Sequence, residues 1–581
     1  MHSFDCIVFA PGDTVPPSTS AIDAGAIGHL LPATLDRLNA IRFADGLWTR
    51  RLDLWSEDVT VQQRVAGRLG WLTAPDVSRS HVDRLESFAR QVISDGFTDV
   101  VLLGMGGSSL APHVLASVFG AAPGHPRFWM LDSVDPGAVR SVMGTPATTL
   151  FIVASKSGTT IESNVLAAEA RRRVELAGHT AWGSRFVAIT DEGTELHARA
   201  QAQGFRDVFV NPSDIGGRYS ALSLFGLVPA ALMGIPLRPF LEHATRMAEA
   251  CRIDDAGTNP GLALGAVMAA AALAGRDKLT LLLPPRLASL GLWVEQLVAE
   301  STGKQGAGVI PIDGTRDNQA FGTDRAAVVV RMPGEEPSAN TVTRLRSSGA
   351  PVVTLDVPDA AALGAEFFRW EVATATAGLL LGVNPFDEPN VAQAKAATTA
   401  LLQAYAVSGA LPVPERHAGA SEIPASLTTA ARQALAPDGG GHGSIDGFLR
   451  IVQPPDYLAL LVFSDPNRPQ LDAILQRFLA DAARATNVAT SLGYGPRYLH
   501  STGQLHKGGP PTGVFIVIAT APAADLPIPG EQFSFATLLR AQALGDFSSL
   551  ERTGRRALLL DLPDDLPQTF QQALRTLLPA R

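Results

Sequence analysis

Ser155-Lys156-Ser157-Gly158-Thr159-Thr160-Ile161-Glu162-Ser163 follows directly on the apolar run 148–154. A strand turning into a helix there presents one lysine and the hydroxyls of Ser155, Ser157, Thr159 and Thr160 beside the free N–H groups of a helix start. That setting suits a phosphate monoester. A capping box closed by Glu162 accounts for one or two of these hydroxyls, not four. An earlier loop, Gly104-Met105-Gly106-Gly107-Ser108-Ser109, also stands between a strand and a helix. Its glycines let the backbone approach an anion, or simply make a tight packing turn. It is not the dinucleotide fingerprint, because Ser109 stands where the third glycine belongs. Nor is it a Walker loop.

Four further segments carry charge where charge is useful. In Gly216-Gly217-Arg218-Tyr219-Ser220 the glycines leave room beside a guanidinium that could stabilise an oxyanion, or make a surface salt bridge. In Glu300-Ser301-Thr302-Gly303-Lys304 a carboxylate ends an apolar helix. The unfavourable end of the helix dipole should raise its pKa toward that of a useful base, unless it is simply exposed. In Asn384-Pro385-Phe386-Asp387-Glu388-Pro389 an Asn-Pro turn enters a helix, and Lys395 lies two turns beyond Glu388 on one face. Finally, the polar stretch 495–510 gathers Arg497, His500, His506 and Lys507. A histidine metal site would want carboxylates close by in sequence, and none are there, so no metal is expected.

Lysine is rare. Of 47 basic residues only Lys156, Lys278, Lys304, Lys395 and Lys507 are lysines. Four of the five lie in the segments above. Lys278, in Arg276-Asp277-Lys278, reads as a solvated loop charge.

The elements that must position these residues follow from periodicity. Residues 1–80 read as a helical segment. From 81 to 260 short apolar strands (99–103, 148–154, 186–189, 207–210) alternate with helices, which implies parallel βαβ units. The pattern restarts over 261–408, with strands at 278–283, 308–312, 326–331 and 352–355 and a long apolar helix at 361–382. A Pro/Gly/Ala-rich linker with one short helix covers 409–448. A third α/β block runs from 449 to 581, with strands at 457–463, 514–519 and 557–562. The second and third blocks could be versions of one module.

Composition narrows the function. The net charge of −9 disfavours an electrostatic nucleic-acid binder. Two cysteines, Cys6 and Cys251, exclude a disulfide scaffold and fit a reducing compartment. No apolar run has the length of a membrane span, and the first residues do not read as a secretory signal, so a cytoplasmic location is expected.

In order, GMGGSSLAP, SKSGTTIES, GGRYSALSLFGL, ESTGK and NPFDEPNVAQAK resemble the motifs of the phosphoglucose isomerase family. Over its whole length, including GPRYLHSTGQLHKGGP, the chain is most similar to the isomerase half of bifunctional transaldolase/phosphoglucose isomerases. The resemblance implies an α/β fold. Two sugar-isomerase (SIS-type) parallel-sheet sandwich domains would flank the active site, and an additional C-terminal α/β block would complete it. It implies interconversion of glucose 6-phosphate and fructose 6-phosphate through a cis-enediolate, in glycolysis and gluconeogenesis, without metal or cofactor. Functional pairing with a transaldolase is a further implication, and oligomeric state stays open.

By the same resemblance Ser155, Lys156, Ser157 and Thr160 would hold the phosphate, and Gly107 and Ser108 would line the sugar site. Arg218 would stabilise the enediolate, Glu300 would move the proton between C2 and C1, and Lys395 would assist ring opening. Glu388 and Lys507 would lie in the substrate site. Two departures stand out. Glu388 replaces the family's usual Gln, and would either repel phosphate or pair with a nearby cation. The ring-opening histidine that the family carries shortly after its base is absent from 311–331. The third block is therefore expected to fold back and deliver His500 or His506, with His500 favoured for ring opening. An isomerase of another hexose phosphate, such as mannose 6-phosphate, and a non-catalytic sugar-phosphate binder are the alternatives.

Overall fold

Parallel strands need a crossover that returns the chain to the same end of the sheet, and a helix provides it. The strands are then covered on both faces and read as unbroken apolar runs. That logic organises the structure, a computed structural model that describes residues 3–6, 19–313, 321–416, 423–435 and 445–578. In chain order its strands are β1 (Ser3–Cys6) and β2 (Thr19–Asp23); β3 (Asp99–Gly104), β4 (Arg127–Leu131), β5 (Thr149–Ala154), β6 (Phe186–Asp191) and β7 (Asp207–Asn211); β8 (Lys278–Leu282), β9 (Ile310–Asp313), β10 (Arg325–Arg331) and β11 (Val352–Asp356); and β12 (Ala425–Leu427), β13 (Tyr457–Phe463), β14 (Ala489–Tyr494), β15 (Gly513–Thr520) and β16 (Arg556–Leu562).

They form three sheets, ordered β4-β3-β5-β6-β7, β1-β2-β11-β10-β8-β9 and β12-β16-β15-β13-β14. One pattern recurs in each. The first strand of the unit (β3, β8 or β13) is flanked by the second and the third, and the fourth lies beyond the third. The module suspected in the second and third blocks is thus present in the first as well. Such an order has a switch point between first and third strands, where successive loops diverge at the carboxyl ends and leave a crevice. In the first sheet the switch point lies between β3 and β5. Those two strands end at the loops beginning with Met105 and Ser155.

Alternation along β3 explains how the sheets stack. Val100 and Leu102 belong to a core continuous with Leu279 and Trp293, while Val101 and Leu103 belong to one continuous with Phe463 and Phe515. The first sheet therefore has the second unit on one face and the third on the other. At roughly 25 cal/mol per Å² of apolar surface removed from water, such two-sided burial is what holds the third unit in place.

Several expectations need correction. Residues 1–80 are not wholly helical, since β1 and β2 form a ribbon that adds antiparallel to β11. The edge strands β4 and β14 escaped the sequence reading, because one alternates exposed and covered residues and the other contains Thr490, Ser491 and Gly493. Much of the 409–448 segment, including Gly439-Gly440-Gly441, lies outside the described residues. Its described part holds the short helix Thr429–Leu435 and also β12, which pairs antiparallel with β16. Lys278 is not a solvated charge. It is fully buried in β8, where it pairs with Asp277 (2.7 Å) and Asp324 (3.5 Å) and donates to the Pro455 carbonyl of the third unit. No helix among the described residues is long and apolar enough to cross a membrane.

Candidate active site

The Ser/Thr loop at the end of β5 is tightly knit. Ser155 and Thr160 share a hydroxyl–hydroxyl hydrogen bond (3.0 Å), as do Ser157 and Thr159 (2.9 Å). The Gly158 N–H donates to Ser155 Oγ (3.1 Å). Gly158 sits at φ +71°, and a Cβ there would lie 2.7 Å from the Leu196 nitrogen, so both conformation and space require glycine. Thr160 precedes the helix Ile161–Leu176 without capping it through its side chain. Lys156 turns to Asp191 and donates to the Ser213 carbonyl (2.8 Å), so its ammonium already has an anionic partner.

Glu162 has a different task from the capping box considered for it. Its buried Oε1 accepts from His500 Nε2 (3.0 Å) and Gln542 Nε2 (2.7 Å). Burial works to raise the Glu162 pKa, but His500, a backbone hydrogen bond and the charge of Lys395 together hold the carboxyl below its ordinary value. A cavity of about 140 Å³ opens here, bounded by Thr159, Thr160, Glu162, Lys395, His500 and Gln542. Lys395 is exposed on the helix Pro389–Ser408.

Arg218, in the short turn Gly217–Tyr219, is 5% exposed and makes the most demanding set of contacts. Its Nε donates to Ser301 Oγ (2.8 Å), and its Nη2 to the carbonyls of Pro385 (2.7 Å) and Asp387 (2.9 Å). Its Nη1 faces two carboxylates, Glu388 Oε2 at 3.0 Å and Glu300 Oε1 at 3.3 Å. Burial would lower the Arg218 pKa, yet the two carboxylates raise it. Glu388 thus pairs with a cation, the second of the two outcomes foreseen for it.

Glu300 lies near the end of the helix Leu290–Thr302, as its position in the sequence requires. Its pKa is raised, as expected, but the main cause is burial, and the neighbouring Glu388 adds to it while Arg218 pulls it down. Gln296, one turn earlier, donates to Glu300 Oε2 (3.2 Å) and to the His500 carbonyl (2.7 Å), tying the carboxylate to the third unit. Lys304 is buried between Asp387 Oδ1 (2.7 Å) and the carbonyls of Asn384 and Asp387. Its pKa is pushed down to about 8, first by burial and then by Arg218.

Gly107 packs on the Arg218 turn. A Cβ on it would lie 2.0 Å from the Gly217 carbonyl oxygen, and one on Gly106 (φ +53°) 2.8 Å from the Gln296 amide. The packing-turn explanation of this loop therefore applies. Ser108 beside it is buried.

The third unit does fold back, and it divides the two histidines. His500 reaches the cavity. His506 turns inward among Tyr457, Tyr498 and Phe515, where burial pushes its pKa well below the ordinary value. Lys507 is likewise internal, paired with Asp546 Oδ1 (2.5 Å), whose other oxygen accepts from Tyr498 (2.6 Å). Gln504 fastens the same loop to both other site segments. Its Oε1 accepts from the Asn390 N–H (2.8 Å), and its Nε2 donates to the Gly303 carbonyl (3.0 Å). Arg497 adds a two-pronged pair with buried Asp132 (2.6 and 2.8 Å). Sequence reasoning missed Gln296, Gln504 and Gln542. Each is a neutral amide, and apart from the Glu300 contact of Gln296 their partners lie far away in sequence.

Comparison with known proteins bears on this arrangement. Residues 73–323 match the family model described as phosphoglucose isomerase. The glucose-6-phosphate isomerase of Prochlorococcus marinus (strain MIT 9313) is 30% identical over 403 residues, spanning 59% of this chain and 73% of that protein. That of Cyanothece sp. (strain PCC 7425 / ATCC 29141) is 31% identical over 396 residues, spanning 57% and 74%. A hypothetical protein from Thermus thermophilus has a similar structure, with TM-score 0.55, 25% identity and coverage of 66% of this chain and 99% of that one. A glucose-6-phosphate isomerase from Chlamydia trachomatis D/UW-3/Cx shares the fold, with TM-score 0.55, 19% identity and coverage of 69% and 90%. Matching such relatives over 73–74% of their length at 30–31% identity, this chain belongs to the phosphoglucose isomerase family.

Proposed function

We propose that this cleft interconverts glucose 6-phosphate and fructose 6-phosphate, with Glu300 as the base that carries the proton between C2 and C1. The observation that carries the reading is a buried carboxylate 3.3 Å from a guanidinium whose other donors are locked on protein oxygens. Proton abstraction next to a carbonyl needs a base whose pKa is raised toward neutrality and a fixed positive group near the developing oxyanion. Glu300 and Arg218 supply that combination. As Glu300 takes the proton it loses its charge and its claim on Nη1 weakens. That N–H becomes available as negative charge builds on the sugar oxygens, so the stabilisation is strongest in the transition state.

The phosphate sits on the 155–160 loop, where hydroxyls and N–H groups donate and the helix start favours a dianion. Lys156 serves there as the charge that keeps Asp191 from repelling it. His500, oriented by Glu162, acts as the acid or base at the ring oxygen, with Lys395 opposite. His506 and Lys507 have no contact with substrate in this reading; they hold the loop that carries His500. The family's reaction belongs to glycolysis.

The test is a coupled assay in which glucose 6-phosphate formed from fructose 6-phosphate is oxidised with NADP, with EDTA present. Wild-type turnover that vanishes in Glu300→Gln establishes the reading. Turnover that survives in the variant removes Glu300 as the base. A wild type that binds sugar phosphate without turning it over is a binder.

A further inference from the structure

Arg218 has five N–H donors and makes four hydrogen bonds with them, besides an ion pair to Glu300. Three are fixed on Ser301, Pro385 and Asp387, so the guanidinium cannot rotate away. Nη1 donates to Glu388 Oε2 (3.0 Å) and lies 3.3 Å from Glu300 Oε1 as an ion pair. We propose that Glu388 sets the basicity of Glu300 by sharing this one guanidinium nitrogen with it. The inference rests on Glu300 being the base.

Two carboxylates on one cation titrate as a pair, and the first proton goes to the one that is harder to keep ionised. Here that is Glu300. Its side chain is 10% exposed against 36% for Glu388. The other charged and titratable groups do not reverse this order. Arg68 acts on Glu388, Lys304 acts on both carboxylates and is itself neutralised by Asp387, and Tyr219 lies beside Arg218 with its pKa raised by burial. Glu388 therefore stays charged, takes up part of the positive potential of Arg218, and leaves Glu300 a stronger base than an undivided arginine would. A neutral amide of the same shape at 388 would return the whole guanidinium to Glu300.

The experiment is the pH profile of kcat/KM for fructose 6-phosphate in the wild type, Glu388→Gln and Glu388→Asp, with Glu300→Gln as control. The acid limb reports the base of the free enzyme. It should move down by about half a pH unit or more in Glu388→Gln, as expected when a neighbouring like charge is removed. It should stay near the wild-type position in Glu388→Asp, which keeps the charge. A limb that does not move in Glu388→Gln, or that moves equally in Glu388→Asp, overturns the proposal. If Glu388→Gln does not turn over, calorimetric binding of a five-carbon aldonate phosphate replaces the rate. This anionic analogue of the enediolate binds best when Glu300 is protonated, so the midpoint pH of its binding should be lower in Glu388→Gln. An unmoved midpoint again overturns the proposal. Turnover in Glu300→Gln removes instead the base on which the inference rests.

Discussion

His500 Nε2 lies 3.0 Å from Glu162 Oε1, although 338 residues of chain separate them. The carboxylate is buried and also accepts from Gln542, so it holds the imidazole with its proton on Nε2, in one tautomer and one orientation. A histidine held this way can pass a proton to and from a ring oxygen. His500→Asn should lower kcat on cyclic hexose 6-phosphates by about 10²–10⁴-fold, the usual worth of a positioned acid or base. A tetrose 4-phosphate cannot close a ring and should lose little. Comparing the two substrates in one variant checks the assignment, and equal losses would place His500 in the proton transfer itself. Glu162→Gln should reproduce the pattern in weaker form.

Arg218→Ala should lower kcat more than it raises KM if, as proposed, the guanidinium acts mainly as charge develops. The loss should be about 2.7–4 kcal/mol of barrier, the range found when one oxyanion donor is removed. The same change leaves Glu300 and Glu388 facing each other without their cation, so the melting temperature should fall too. Steady-state kinetics at a temperature well below the melting transition separates the two effects. A change confined to KM would make Arg218 a ground-state binding residue.

Asp546 is a buried anion held by Lys507 and Tyr498 under the His500 loop. Removing one partner of a buried pair typically costs about 3–5 kcal/mol, because the other charge is left uncompensated. Asp546→Asn should therefore lower the melting temperature by several degrees and reduce kcat through loosening of His500. Differential scanning calorimetry together with the coupled assay reads both. The doubly neutral variant Asp546→Asn with Lys507→Met should recover part of the stability.

His506 is buried and kept neutral. Its proton affinity is lower in the folded chain than in the unfolded one, so below pH about 6.5 the unfolded state binds the extra proton. The stability that this residue contributes is complete above that pH and is lost as the pH falls. His506→Phe should flatten the acid side of a plot of melting temperature against pH. Between pH 6.5 and 5 the difference is at most about 2 kcal/mol, at 1.36 kcal/mol per pH unit for one proton. Parallel curves for wild type and variant would show that another group governs the acid loss.

Much of this was legible in the sequence because some chemistry is local. The strands β3, β5 and β13 are unbroken apolar runs, and each must be covered on both faces wherever it lies in the fold. Four hydroxyls in a turn after such a strand stand out through local spacing alone, which is why the sequence offers 155–160 as the proposed phosphate loop. The carboxylate at the end of an apolar helix and the arginine after two glycines are visible for the same reason. Even the scarcity of lysine points to positions where an ammonium is placed deliberately.

What the sequence could not decide depends on sums over distant groups. Lys278 and Lys507 read alike as polar loop residues, yet both are buried, because Asp324 and the Pro455 carbonyl converge on the one and Asp546 on the other. His500 and His506 are six residues apart in one motif, and only packing against Tyr457, Tyr498 and Phe515 sends one inward while the other reaches Glu162. The raised pKa of Glu300 was anticipated from a helix dipole. Its main source is burial, to which Glu388, from another segment, adds. Periodicity and local spacing are properties of the chain, and so they determined the elements and the loops between them. Desolvation and Coulomb interaction depend on distance in space. Only the stacking of three sheets decided which carboxylate became buried beside Arg218 and which histidine faced the cavity.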